Sequence, residues 1–344
     1  MNNKFFPSNF MFIIMMILGS IMSLSSSHWM MMWMGLELNL MGILPLMNIK
    51  SNSESESSMK YFIIQSMSSS LFIMSSIFMY LFSISMYSMF NNSLFSSIMT
   101  ISLLIKMASA PFHFWLPSMC KQMNWMILFL ILTWQKLAPL FMLSFINYNY
   151  PIIIISAISN SILGSIQAIN QSSLQLIMVY SSISHLGWML PICSINNSMM
   201  FFYLLMYSII ITPMFIFFSS KSIFYSYSLS EQNNMMNKEN IFIIMLLLSL
   251  AGIPPMLGFM SKLMILYMLL KSNMILLSFM LFMGTLISLY FYLNLMMIMM
   301  MKSMYMYKTN NMYMSMKLIM CFNMLSTIIF IPMMMYAMNI LNKP

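Results

Sequence analysis

The sequence predicts an all-α polytopic membrane protein of about eleven transmembrane helices, in two inverted five-helix repeats with helices four and nine interrupted. Three observations point there. Of 344 residues, 61% are hydrophobic and only 6% are charged. A soluble domain is roughly a quarter charged, so no soluble fold of this size could cover itself with so few charges. The apolar stretches run to about 20 residues, the length of helix that crosses a hydrocarbon core of about 30 Å, and the roughly 10-residue alternating strands of an outer-membrane barrel are absent. Two of the stretches are broken by proline at matching places, at Ala110-Pro111 and at Ile253-Pro254-Pro255.

Breaks at polar or Pro-, Asn- and Ser-rich points set the elements in order. The first two spans cover roughly 8–26 and 28–48. The hydrophilic segment Asn48–Met59 (NIKSNSESESSM) precedes a third span over 59–82. Short connections then separate 93–117 (interrupted), 123–146, 151–168, 173–194 and 198–219. The polar stretch Ser219–Asn240 precedes 240–270 (interrupted) and 273–301, and Lys302–Lys317, with three lysines, precedes 317–340. Most connections are short, so neighbours pack antiparallel. The chain reads as a single transmembrane domain over 1–344, with repeats at 8–146 and 151–301 and an additional C-terminal helix at 317–340.

Orientation follows from counting lysines. With eleven spans, the N-terminus and the loops after even-numbered helices share a side. That side holds Lys4, Lys50, Lys60, Lys121, Lys221, Lys238, Lys302, Lys308 and Lys317, against Lys271 and Lys343 on the other. The excess of nine to two is a positive-inside signal and puts the N-terminus on the cytoplasm-equivalent side. Met1-Asn2-Asn3-Lys4 shows no Arg-rich amphipathic segment or cleavable signal, so the first apolar run is expected to stay as a helix.

The composition is skewed as well as apolar. There are 55 Met and one Val (Val179), with no Arg and no Asp, and all fourteen cations are Lys. This pattern fits an A+T-rich gene in which an extra codon reads as Met, as in animal mitochondria. The methionines are then lipid-facing filler rather than a copper site. Cys120, Cys193 and Cys321 lie far apart, with no C-x-x-C, and give neither a disulfide framework nor a metal cluster. The scattered lysines are no nucleic-acid footprint. The eight glycines form neither G-x-G-x-x-G nor a Walker loop, so no haem, flavin, nucleotide or metal ligand set is visible.

Both interrupted spans carry a lysine beside the break. Span four reads Ile105-Lys106-Met107-Ala108-Ser109-Ala110-Pro111, and Pro111 cannot donate to the carbonyl of Met107. In span nine, Pro254 and Pro255 free the carbonyls of Leu250 and Ala251, with Lys262 further on. A simple proline kink explains either one alone. Together they mark the fourth helix of each five-helix half, the pattern of an inverted-repeat transporter with its site near the midplane.

Lys106, Lys136 and Lys262 and the carboxylate of Glu37 all fall inside spanning stretches. A charge at that depth costs roughly 2.5–3.5 kcal/mol on insertion scales, so a chain that carries four is expected to use them. Glu37 has two readings, a static salt bridge to one lysine or a partner in proton transfer. A static pair accounts for one lysine only. Desolvation disfavours the charged form of a buried amine by up to about 3–5 pK units, which lets such a lysine exchange protons where an arginine could not. His113 and His185 lie in apolar helices; each is either a satisfied core residue or a relay, with Ser181, Ser182 and Ser184 available to continue a water wire beside His185. His28, beside Trp29, reads as interfacial.

At these motifs the chain resembles a known family. Trp33-Met34-Gly35-Leu36-Glu37-Leu38-Asn39, Ala110-Pro111-Phe112-His113-Phe114-Trp115-Leu116-Pro117, Leu132-Thr133-Trp134-Gln135-Lys136-Leu137-Ala138-Pro139, Tyr180-Ser181-Ser182-Ile183-Ser184-His185-Leu186-Gly187-Trp188 and Ala251-Gly252-Ile253-Pro254-Pro255 are similar to the subunit 2 family of mitochondrial NADH:ubiquinone oxidoreductase (respiratory complex I), within the wider antiporter-like proton-pumping family. The likeness runs in order over about residues 10–300, and animal members resemble this chain in having eleven of the wider family's fourteen helices. It implies a membrane-arm subunit of an H+-translocating NADH:ubiquinone reductase in the mitochondrial inner membrane, with the N-terminus in the matrix. It further implies Glu37 and Lys106 as a coupling pair, Lys136 as central relay and Lys262 as terminal exchange residue. His113 and His185 match motif positions and are possible relays. NADH, FMN, iron–sulfur clusters and ubiquinone belong by this resemblance to partner subunits, and this chain alone carries no redox site. The implied partners are other membrane-arm subunits and lipids, not nucleic acid. Ser118 follows Pro117 where many relatives carry an acidic residue. A stand-alone cation/proton antiporter subunit and a passive spacer with inherited charges remain as rival readings.

Overall fold

A computed structural model of the chain describes residues 7–48, 52–83, 88–146, 150–225, 238–254 and 256–303. Among these residues the helices run in the order α1 (Pro7–Ser25), α2 (Trp29–Met47), α3 (Asn52–Ser83), α4 (Ser88–Lys106), α5 (Trp115–Cys120), α6 (Trp125–Leu132), α7 (Trp134–Ser144), α8 (Tyr150–Ala168), α9 (Leu174–Cys193), α10 (Asn197–Lys221), α11 (Lys238–Ala251), α12 (Leu257–Lys271) and α13 (Ile275–Ser303). No strand forms among the described residues; one isolated bridge joins Ser173 and Tyr225. Seven described helices are long and apolar enough to cross a bilayer. The expected span at 317–340 lies outside the described residues.

Serine is abundant in these apolar helices, and the structure shows how it is accommodated. Ser68, Ser75, Ser102, Ser156 and Ser181 each donate to the carbonyl three residues back, at 2.7–2.9 Å. Each hydroxyl is satisfied by its own helix, so a buried serine costs little at membrane depth. Ser182 and Ser184 do the same on α9, at 2.7 Å. All three serines beside His185 thus bond back to their own helix.

The third span differs from its expected bounds. Asn52 to Met59, read from sequence as a hydrophilic connection, is the first two turns of the 32-residue α3. Glu54 lies in the first helical turn, where the helix dipole favours an anion. Its Oε1 accepts from Asn124 Nδ2 at 2.8 Å, and Ser58 Oγ donates to Asn48 Oδ1 at 2.7 Å. At 1.5 Å per residue α3 is about 48 Å long, more than the hydrocarbon core needs, so its polar first turns can stand in the headgroup region.

The chain forms two compact units. One comprises residues 1–160 and 185–200, the other 161–184 and 201–344. In the first, α1 and α2 meet backbone to backbone. A Cβ on Gly35 would lie 2.7 Å from the Gly19 carbonyl oxygen, and one on Gly42 would lie 2.8 Å from the Phe12 carbonyl oxygen. Close approach of this kind is how helices associate where lipid is as apolar as the side chains. In the second unit Gly284 and Gly164 play the same part, with a Cβ on each 2.8 Å from Ser161 and from the Ser184 nitrogen respectively.

Candidate functional site: buried lysines at broken helices

In the first unit, α4 ends on Lys106 and helix resumes only at Trp115. The four C-terminal carbonyls of α4 would be orphaned by this break. Each finds a donor. Leu103 O accepts from Met107 N at 3.2 Å, and Leu104 O from both Ser109 N and Ser109 Oγ at 3.0 Å. Ile105 O accepts from Ala108 N at 3.1 Å and Trp115 Nε1 at 3.2 Å, and Lys106 O from Gln65 Nε2 at 3.1 Å. Two residues of α8 hold the segment beyond: Ala110 N donates to Asn160 Oδ1 and Ser159 Oγ donates to Ala110 O. The Ala110-Pro111 peptide is cis. His113 sits in this segment, 1% exposed, against the Phe114 ring.

Lys106 itself is 7% exposed. It occupies the last turn of its helix, where the dipole favours a cation. Its electrostatic partner is Glu37 on α2. The two attract each other without a direct ion pair, and the buried Oε1 of Glu37 accepts no hydrogen bond. The static salt bridge allowed by the sequence is therefore not formed here.

Lys136 lies on α7, 3% exposed, with the thiol of Cys120 within electrostatic reach. The span that carries it is also interrupted, which the sequence did not lead us to expect. α6 stops at Leu132 and α7 starts at Trp134, through Thr133 at φ −115°, ψ −68°. Thr133 Oγ1 bonds back to Phe129 O at 2.7 Å, a contact that bends helices. Pro139 in α7 further withholds a donor from the Gln135 carbonyl. Asn39, two residues after Glu37 in sequence, and Gln135, adjacent to Lys136, form a reciprocal amide pair: Asn39 Nδ2 donates to Gln135 Oε1 at 2.8 Å and Gln135 Nε2 to Asn39 Oδ1 at 2.9 Å.

The second unit holds the other break. α11 ends at Ala251 and α12 begins at Leu257. Gly252 turns the chain at φ +83°, and its N–H and that of Ile253 both return to Leu248 O. Lys262, 8% exposed, reaches back from α12 and donates to Ala251 O at 3.0 Å. Both breaks thus place a lysine at the negative end of a half-helix. In α4 it is the helix's own last residue; at α11 it comes from the half-helix that follows. His185, on α9 and 6% exposed, belongs to the first unit instead.

The structure brings Glu37, Lys106, Lys136, His113 and His185 into one unit and Lys262 into the other. Sequence reasoning missed the neutral amides: Asn39 with Gln135, Gln65 and Asn160. The available signal was a lone carboxamide in an apolar span, since such a group needs a partner wherever water is excluded.

A family model for the NADH:quinone oxidoreductase/Mrp antiporter transmembrane family matches residues 26–288, which include every residue of this constellation. The chain belongs to this family. Within the antiporter family it is similar to NADH-ubiquinone oxidoreductase chain 2 of Anopheles gambiae, 37% identical over 272 residues, covering 77% of this chain and 78% of that one. The corresponding chain 2 of Bos taurus is 35% identical over 277 residues, covering 79% and 80%. In fold the chain matches one from Thermus thermophilus respiratory complex I with a TM-score of 0.77 at 21% identity, over 85% of this chain and 70% of that one. It matches one from an archaeal membrane-bound sulfane sulfur reductase at 0.82 and 16%, over 94% and 73%. The Mrp complex of Dietzia gives 0.71 at 15%, over 83% and 59%.

Proposed function

We propose that this antiporter-family chain is the core membrane-arm subunit of complex I that translocates protons across the mitochondrial inner membrane. NADH oxidation and ubiquinone reduction in other subunits drive it, and NADH, FMN, iron–sulfur clusters and ubiquinone are held there. The single observation that carries the mechanism is Lys106 at a broken helix end, inside the field of Glu37 but unpaired with it. A tight ion pair would hold its proton permanently. An approaching and retreating carboxylate can load and unload it.

In this reading Glu37 and Lys106 couple the drive to the proton, Lys136 relays it and Lys262 exchanges it, with His113 and His185 as further relays. Moving one charge against the membrane costs about 2.3 kcal/mol per 100 mV, comparable to under two pK units of proton affinity. A stand-alone cation/proton antiporter shares the fold, but the curated relatives quoted above are chains of NADH-ubiquinone oxidoreductase.

The proposal extends to topology. Joining α4 with α5, α6 with α7 and α11 with α12 leaves ten spans through residue 303, and 317–340 would make eleven. The repeats are 8–146 and 151–301, inverted because five is odd, with the N-terminus in the matrix.

Lys106→Met tests the mechanism. A hydrophobe of similar length fills the space without a charge, so the complex should assemble while proton pumping is lost. Lys106→Arg should also fail, because arginine keeps its proton. Normal pumping by Lys106→Arg would return Lys106 to a structural role.

A further inference from the structure

The broken helix of the second unit ends on carbonyls that its own backbone cannot cap. The residues placed to donate to Leu250 O and Ala251 O are Pro254 and Pro255, which have no N–H. The amides of Gly252 and Ile253 both go to Leu248 O, at 3.1 and 3.3 Å. The Ser249 carbonyl is covered by α12, since a Cβ on Gly258 would run into its oxygen. The carbonyls of Leu250 and Ala251 are left. Lys262 Nζ donates to Ala251 O at 3.0 Å, and no other described residue donates to either. Leu250 is 0% and Ala251 3% exposed. At the break after α4 each terminal carbonyl has a neutral donor; the end of α11 relies on a charged one.

The space beside these carbonyls has the shape of an unbranched amine. A Cβ on Gly252 would lie 2.9 Å from Lys262 Nζ, 3.2 Å from Cδ and 3.4 Å from Cε. The missing side chain of Gly252 is thus the bed along which the lysine stem lies, up to its ammonium. The carbonyl end of a helix carries about half a negative charge, and freed carbonyls at half-helix ends are where membrane transporters coordinate cations.

We propose that the carbonyl end of α11, with the bed at Gly252, is a binding site for a primary ammonium group, which this chain fills with Lys262 as a tethered ligand. The carbonyls supply the charge-assisted acceptor, and Gly252 admits a narrow alkyl chain behind it. The binding is independent of the proton-translocation reading; only its use by the pump rests on that reading.

The test uses the purified intact complex carrying Lys262→Ala. The substitution deletes Cγ, Cδ, Cε and Nζ, together the heavy atoms of n-propylammonium. Radiolabelled n-propylamine should bind this complex saturably. The wild type should show no such binding, because its tethered amine fills the site. n-Propanol has nearly the same shape without the charge and should compete at least about tenfold less well, the margin of a charged over a neutral donor. Tetramethylammonium has the charge but no N–H and should not compete. An absence of saturable binding, or equal competition by n-propanol, overturns the site and leaves Lys262 as an ordinary helix cap. Should Lys262→Ala assemble poorly, the amount of complex formed in the presence of n-propylamine is read instead. Recovery with n-propylamine and not with n-propanol supports the site, and no recovery overturns it. Pumping by Lys262→Ala separates the two ideas. If pumping persists while n-propylammonium binds, the exchange role of Lys262 falls and the site stands. If pumping is lost and nothing binds, the site falls and the exchange role stands.

Discussion

The Lys262 ammonium donates to the Ala251 carbonyl at 3.0 Å, so the second half of a broken helix closes the free end of the first. The geometry depends on the residue between them. A Cβ on Gly252 would lie 2.9 Å from Lys262 Nζ, and the backbone there has φ +83°.

Gly252→Ala should therefore displace the ammonium as well as strain the turn. A left-handed backbone costs a non-glycine residue about 1–2 kcal/mol, and loss of the bond adds about 1 kcal/mol. The expected outcome is about a tenfold or greater loss of proton pumping, tenfold being 1.36 kcal/mol in a barrier. A double-mutant cycle with Lys262→Met checks the route: Gly252→Ala should add little once the ammonium is gone. An equal further loss in that background would mean that the turn alone is affected.

Asn160→Leu removes the acceptor of the Ala110 N–H, in a segment that Asn160 and Ser159 of α8 hold by both its N–H and its carbonyl. A buried donor left unmade costs about 1–3 kcal/mol. The variant should lower the denaturation midpoint of the assembled complex, whereas Asn160→Asp keeps the acceptor oxygen and should lose less. Equal midpoints for Leu and wild type would show that water replaces the amide.

How far the fold was legible follows from what the residues had to satisfy. The spans read as 151–168 and 173–194 fall within a residue of α8 and α9, because polar Asn and Gln clusters bound both ends. The start of α3 was not legible. Ser and Glu between 53 and 58 read as a solvated connection, yet they are helical because their hydroxyls and the Glu54 carboxylate are satisfied locally and by Asn124. The kink at Thr133 was hidden for the opposite reason, since a run as apolar as Trp125–Leu132 shows no break. The buried lysines were visible as charges in the wrong solvent. The amides that hold their helices were not, because a single Asn or Gln carries no sign of its partner 96 residues away.

Orientation gives a prediction that uses the corrected start of α3. Ser55 is exposed near the start of α3, on the side to which the proposed topology assigns nine of the eleven lysines outside the membrane. Ser55→Cys should react with an impermeant thiol reagent from the matrix side only. Cys120 and Cys193 are buried and give little background, and Cys321 is replaced by Ser. Labelling from the intermembrane space would overturn the helix count, because one helix more or fewer before α3 reverses the side.

A close backbone contact in the first unit yields the last prediction. A Cβ on Gly35 would lie 2.7 Å from Gly19 O and 2.7 Å from Ser23 N, atoms of the α1 main chain. No rotamer change can relieve a clash with backbone, so Gly35→Ala must push α1 and α2 apart. Overpacking of this kind costs about 1–3 kcal/mol. The helix pushed out of place carries Glu37 two residues later, so the fault reaches the proposed coupling carboxylate as well as the packing. Gly35→Ala should reduce the amount of assembled complex, and the complex that does assemble should pump fewer protons per NADH. Met34→Ala is the control: Met34 is 42% exposed, and an exposed change of this type costs within about 0.5 kcal/mol. If Gly35→Ala assembled and pumped as well as Met34→Ala, α1 and α2 would have room to separate, and the close crossing would not be what positions Glu37.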